Sequence, residues 1–330
     1  MRTRRRPDYN SAVWQWLEKH PLADQMYRWV LVTDAGEVVG HLAATPQYYR
    51  IRGQRIIAHT PADYLVLPPH GFHALSLMRT FFRSCENCVA CDQAQEAARI
   101  EKRFGAEEVG RLRYATKVMD LSQLTKLPSV IPAAVPRLLN RGIRLVDKVL
   151  INSFGNDDLN VGEFDEFDES FDEFFEKVAA KVPCLAEKDV GFLRWRYGAD
   201  SPHAPVTVLG IKSEEGLLGY TVLRVASGPR RYGYIFDLTA LPHRHDVAGV
   251  LLREALHYFA RLGIYAIRCQ FVESPTAPLP RDLVRLGFFS EKDPNMLLVR
   301  LSNPALQEAA RISTNWSYSA GDGEATFWVG

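Results

Sequence analysis

The chain predicts an α/β (α+β) fold made of two tandem copies of one domain, each a mixed, mostly antiparallel sheet flanked by helices. Three observations carry this expectation. The first is an internal repeat: DYLVLPPHGFHALSLMR, from Asp63 to Arg79, recurs in outline as DLTALPHRHDVAGVLLR, from Asp237 to Arg253. Both begin with Asp, run as an apolar strand, reach a proline (Pro68, Pro242), turn through a loop containing histidine and enter an apolar helix that ends in Arg. The second is element order, since antiparallel strands followed by strand, helix, strand, helix and strand place helices on a mixed sheet. The third is length: 330 residues are long for one core, so domains over 1–125 and 181–330, joined by a linker over 126–180, account for the chain.

The elements follow in order. Ser11 to Lys19, SAVWQWLEK, predicts a short helix with Ser11 as its cap. Tyr27–Thr33 and Glu37–Ala44 are strands joined by Asp34-Ala35-Gly36, a hairpin signal, and a further strand pair flanks Arg52-Gly53. The repeated strand and helix come next, then a strand at Cys88–Cys91, a helix from about Gln93 to Phe104 and a closing strand through Ala115–Leu121. Pro128, Pro132 and Pro136 introduce a basic helix, RLLNRGIRLVDKVL. In the acidic stretch Glu163–Glu176, phenylalanines at 164, 167, 171, 174 and 175 share one helical face, which predicts a helix docked by its aromatic stripe.

The second half repeats the first. Trp195-Arg196-Tyr197 with Pro202 echoes Trp14-Gln15-Trp16 with Pro21, and Val208–Arg224 echoes Val30–Pro46 with Gly219 in the place of Gly40. IYAIRCQF is a strand, Thr276–Leu286 a helix and Met296–Leu301 the closing strand. The tail, Asn315–Val329, reads as a hairpin around Gly321-Asp322-Gly323, with Asp322 and Glu324 at its tip.

Composition removes several function classes. A net charge of +1 offers no whole-protein attraction to nucleic acid or an anionic membrane. No apolar run reaches about 18 residues, so no membrane insertion is expected, and MRTRRR, with no apolar segment after it, reads as a solvated tail. CENCVAC brings three of five cysteines to metal-ligand spacing, but Cys91 aligns with Cys269 in an apolar strand and no fourth ligand is assignable. Reduced, packed cysteines of a cytoplasmic protein and no metal are the expectation. The acidic stretch lacks the glycine and ligand order of a calcium loop.

A strand feeding directly into a helix leaves the first helical N–H groups unpaired and aimed beyond the strand end, where the helix dipole favours an anion. Each half resembles a GNAT-type acyltransferase domain, and the pair is similar to tandem GNAT-like proteins of bacterial envelope and polysaccharide gene clusters. The matching residues are Trp16 with Pro21, Glu37–His41 (EVVGH), Arg50–Gln54 (RIRGQ), Asp63–Gly71 (DYLVLPPHG) and Phe104–Ala106 (FGA).

The resemblance implies that the loop after the repeated strand holds the pyrophosphate of acetyl-CoA or another acyl-CoA. Its residues here are Val66, Leu67, His70, Gly71, Phe72, His73 and Ala74. His70 stands where the family carries arginine, Gly71 is kept, and His73 and Leu75 occupy further glycine positions; in the second half Asp246 would repel a phosphate. The first half is therefore the expected donor site. Asp63 and His59, placed at the start of the domain's fourth strand, are the candidate bases, although each also suits a purely structural hydrogen bond, as does His41. The family's tyrosine acid is replaced by Glu101 and Leu283, so no acid carries over. The implied acceptor is an amino sugar or another small amine. A Fem-type transferase using aminoacyl-tRNA, the single route to a nucleic-acid partner, and a binding module are the alternatives; the oligomeric state stays open.

Overall fold

The computed structural model describes residues 7–91, 94–121, 142, 149–151, 154, 158–226, 228 and 231–329. The N-terminal basic run and nearly all of the expected basic helix lie outside them. In the first half, helix α1 (Pro7–Leu17) precedes β1 (Tyr27–Val32), β2 (Val38–Ile51), β3 (Gln54–Val66), α2 (Ala74–Ser84), β4 (Cys88–Ala90), α3 (Gln95–Arg103) and β5 (Glu107–Val118). The second half contains β6 (Val161–Phe164), α4 (Glu169–Ala179), β7 (Cys184–Ala186), α5 (Val190–Tyr197), β8 (Thr207–Ser213), β9 (Gly216–Ala226), β10 (Tyr232–Ala240) and α6 (His245–Arg261). It closes with β11 (Ala266–Phe271), α7 (Pro280–Arg285), β12 (Phe289–Arg300), α8 (Pro304–Ala310) and β13 (Trp316–Ser317).

Both copies of the repeat fold as expected, as a strand running through a turn into an apolar helix. Arg52 and Gly53 turn β2 into β3 with positive φ at both positions, 49° and 76°, which matches the twist of the flanking strands. Pro46 and Pro61 are tolerated inside long strands because each sits where a ladder on one side has ended: β1 pairs with β2 only as far as Ala44, and β3 meets β4 only at His59.

Three local expectations are corrected. Ser11 lies inside α1, which already runs from Pro7, and is not its cap. The acidic stretch divides into β6 and α4, because Asp168 accepts from the Ser170 N–H and caps the helix there; Phe171, Phe174 and Phe175 form the buried stripe. The tail is no hairpin. Trp316 and Ser317 pair in parallel with β7, two short 3-10 turns follow, and Asp322 and Glu324 are buried. Asp322 accepts the Ser319 N–H and lies 3.1 Å from Lys188, so its charge is satisfied inward.

The halves share one sheet of thirteen strands, ordered β13–β7–β2–β3–β4–β12–β5–β11–β10–β9–β8–β6, with β1 also on β2. β12 of the second half lies between β4 and β5 of the first, antiparallel to both, and β5 pairs with β11. Along this junction the halves are joined by a continuous backbone ladder. The halves are further clasped by Trp16 and Trp195, whose rings stack at 4.2 Å while each indole N–H donates to the other's carbonyl. Helices α2 and α3 cover one face of the first half; α6 and α4 cover opposite faces of the second.

Candidate active site

Parallel strands that part at their C-terminal ends open a fork, and each half has one. In the first, β3 and β4 meet at His59 and Cys88, Thr60 donates to the Val89 carbonyl at 2.7 Å, and the strands then separate. In the second, β10 and β11 pair from Tyr232–Ile235 against Ala266–Cys269 and part where β10 bulges at Phe236. A bulge also marks the first fork: His41 pairs with Leu65 and Ala43 with Ala62, so β3 carries an extra residue, and Asp63 takes φ 47°. Asp is one of the few residues that visit this left-handed region, and such bulges re-aim a side chain.

The bulge brings Asp63 to His41. His41 Nδ1 lies 3.4 Å from the Asp63 carboxylate and 3.1 Å from its carbonyl oxygen, and the carboxylate is 40% exposed. Partial burial raises the Asp63 carboxyl above the usual carboxylate range, with His41 drawing it back. The second fork repeats the pair in another chemistry: Tyr220, which follows Gly219 as His41 follows Gly40, donates to Asp237 at 3.2 Å. There the pair is sealed. Lys188 Nζ sits 2.8 Å from Asp237 and 3.1 Å from Asp322, while Thr239 and Ser319 donate to the other Asp237 oxygen.

The tail closes that second fork. Val272 donates to the Tyr318 carbonyl, Ser319 bridges Phe271, and the remaining cavity beside Ser319 measures about 10 Å³, room for a single water at most. From Ile235 to Ala240 every β10 residue is buried, whereas Asp63 and Leu65 at the end of β3 are exposed. Of two forks with one blueprint, the first is open.

His59 and Asp63 are not brought together. His59 lies in the middle of β3, buried, with Nε2 3.0 Å from the Gln25 carbonyl and its ring against Tyr27. Burial lowers its pKa, against the opposing effect of the Nε2–H donated to the Gln25 carbonyl. The loop residues assemble as a 3-10 turn, Pro68–His73, leading into α2. His70 donates its N–H to Leu67, Ala74 donates to Gly71, and Val66 packs under α2, while Leu67 and Phe72 are exposed. With prolines at 68 and 69 this turn offers fewer N–H donors than a glycine-rich loop, and His70 and His73 supply its basic character. In the second half Arg244 and the first-turn N–H groups of α6 already hold the Asp246 carboxylate, depressing its pKa.

Glu101 is the least accommodated acid nearby. It is fully buried on α3, both carboxyl oxygens lack a hydrogen-bond partner, and burial raises its pKa to about 8. A carboxyl raised in the folded state favours folding below its unfolded pKa and loses that advantage as pH climbs to the folded value. Glu101→Gln is therefore expected to gain stability over the parent between about pH 5 and about pH 8, read from urea midpoints; a constant difference across that window would contradict the reading.

Among the described residues no group of three or more His, Cys, Asp and Glu is placed to hold a metal ion, and the five cysteines are buried thiols. No described helix is long and apolar enough to cross a membrane.

No protein-family model matches the sequence, and no curated protein matches it significantly. Solved structures do resemble it. A GCN5-related N-acetyltransferase from Anabaena variabilis superposes with a TM-score of 0.55 at 12% identity, covering 92% of this chain and 73% of that one. Saccharomyces cerevisiae N-myristoyltransferase with bound myristoyl-CoA gives 0.56 at 12% identity, with 93% and 80% covered. An Enterococcus faecalis protein of unknown function, a probable N-acyltransferase, gives 0.51 at 10%, with 91% and 71% covered. At such identities the likeness is one of fold. The chain has the fold of the GNAT N-acyltransferases over nearly its whole described length.

Proposed function

We propose that the protein is an acyl-CoA-dependent N-acyltransferase whose first half is the active copy, acting on an amino sugar or another small amine. One observation carries the choice of half: Asp63 and His41 lie at an open fork, while Asp237 is neutralised by Lys188 and buried under the chain's own tail. The fold shared with solved N-acyltransferases supports the reaction class.

In this reading the donor's phosphates rest against the turn from Leu67 to Ala74, and its thioester reaches into the fork beyond His59 and Cys88. Asp63, oriented by His41, takes a proton from the incoming ammonium. The amine nitrogen then forms a C–N bond to the acyl carbon, the C–S bond breaks, and the coenzyme A thiolate leaves and is protonated. His59, bound to the Gln25 carbonyl and beside the Tyr27 ring, ties the turn before β1 to β3.

Calorimetric titration with acetyl-CoA and CoA tests the donor site. A Cβ built on Gly71 meets nothing within 4 Å, so Gly71→Glu adds a negative charge without a packing change. The expected result is micromolar binding by the parent, weakened at least about 10-fold in Gly71→Glu and kept in His245→Glu of the second half. No binding by the parent would remove coenzyme A as the carrier of the acyl group.

A further inference from the structure

Alternation along a strand sends successive side chains to opposite faces. Trp29 and Leu31 of β1 and Tyr64 and Val66 of β3 join the cluster beneath α2. Val30, Val32 and Leu65 therefore point to the other face, and the register sets Val30 beside His41 and His41 beside Leu65. Four apolar residues of this face are exposed: Val30 at 54%, Val32 at 55%, Leu65 at 50% and Val38, the partner of Val32, at 61%.

The second copy shows what covers the same positions there. Val208, matching Val30, is 6% exposed. Gly210, matching Val32, lies so close under Phe164 that a Cβ would come within 2.6 Å of the ring, and Tyr220, matching His41, meets Phe171 and Phe174 edge-on. The aromatic stripe of α4 and its neighbours thus fills in one half a place that in the other is covered only at His41, by the Trp14 ring edge-on at 5.5 Å, and is left exposed at Val30, Val32 and Leu65. A contiguous exposed apolar strip of this kind marks a binding surface.

The charges around the strip define its occupant. Asp34 and Glu37 stand exposed at the hairpin beside Val32 and Val38, and Asp63 lies at the opposite end. Arg28, on the same face, is held over the Trp14 ring and 3.7 Å from Glu18. Carboxylates at both ends repel an anionic lipid surface and attract an ammonium group.

We propose that the acceptor is a primary amine carrying an apolar chain, with its nitrogen at Asp63 and His41 and its chain laid along Val30, Val32 and Leu65. The proposal deepens the acyltransferase reading and rests on it for the fate of the amine. The test compares n-octylamine with ethylamine on the full chain, in acetyl-CoA-dependent acylation and in binding followed by calorimetry, using the parent and a Val30→Asn, Val32→Asn variant. The expected result is a kcat/KM at least about 10-fold higher for n-octylamine, the gain expected from burying a few methylenes, with that preference reduced several-fold in the variant. Equal kcat/KM for the two amines would overturn the apolar-chain inference and leave the acyltransferase reading standing. Binding of n-octylamine that the variant loses, without acylation of any amine, would keep the inference and sink the reaction. Binding to anionic vesicles, lost in the variant and unaccompanied by any preference for n-octylamine, would replace the amine with a membrane surface and overturn the proposal.

Discussion

Replacing Asp63 by Asn is expected to lower kcat for acyl transfer by about 10²–10⁴-fold, the range over which a positioned general base acts, while the protein stays folded. The substitution is isosteric, and Asn accepts the left-handed conformation that Asp63 adopts at φ 47°. What it removes is the ability to take a proton from the ammonium. Partial burial raises the Asp63 carboxyl above the ordinary range, so the acid limb of kcat/KM in the parent should lie above that range and vanish in the variant. The stability sign runs the other way. A carboxyl with a raised folded pKa favours folding at low pH and loses that contribution as pH rises, so the neutral Asn variant should be no less stable than the parent near pH 7. A kcat within about two-fold of the parent, well below a general base's contribution, would remove Asp63 from the reaction.

The largest effect on stability is expected from Lys188→Met. Lys188 is the ammonium between two buried carboxylates, 2.8 Å from Asp237 and 3.1 Å from Asp322, all three with side chains 10% exposed or less. Taking away one member of a buried ion pair costs about 3–5 kcal/mol because the remaining charge has no partner and no water. Asp322 is already raised by burial and by Asp237, against the pull of Lys188. Without the ammonium Asp322 loses the pull that lowers it, so the variant should recover stability as pH falls and that carboxyl binds a proton. Urea unfolding at about pH 5 and about pH 8 measures this, with the larger loss expected at the higher pH. A loss below about 1 kcal/mol at both pH values would mean that the cluster is not the desolvated network it is here taken to be.

Much of the fold was legible because its signals are local. Alternating apolar runs, the turn at Arg52-Gly53 and the proline after each repeated strand all act within a few residues of themselves. Legibility failed where a residue's partner is distant in the chain. Ser11 has a capping side chain, but α1 already runs from Pro7. Gly321-Asp322-Gly323 carries hairpin chemistry, yet Asp322 prefers Lys188 to solvent. At the site, Asp63 was a candidate through the family resemblance, its recurrence as Asp237 suiting a structural role equally, whereas its contact with His41 was missed. The signal was present: the residues after the aligned Gly40 and Gly219 are His41 and Tyr220, and each meets the aspartate of its own copy.

By itself, then, the sequence determined a duplicated strand–turn–helix unit, the order of strands and helices around it, and an aspartate written twice at the same place. Those are consequences of backbone sterics and side-chain periodicity, which short stretches of chain settle among themselves. Only the tertiary structure decided that the halves exchange closing strands into one sheet, that one fork is sealed and the other open, and that one sheet face leaves Val30, Val32 and Leu65 exposed. Lys188 and Asp237 stand 49 residues apart in the chain, and Arg196 and Thr326 of the same buried region stand 130 apart. Buried charges are settled by whichever counter-charge the whole fold can deliver.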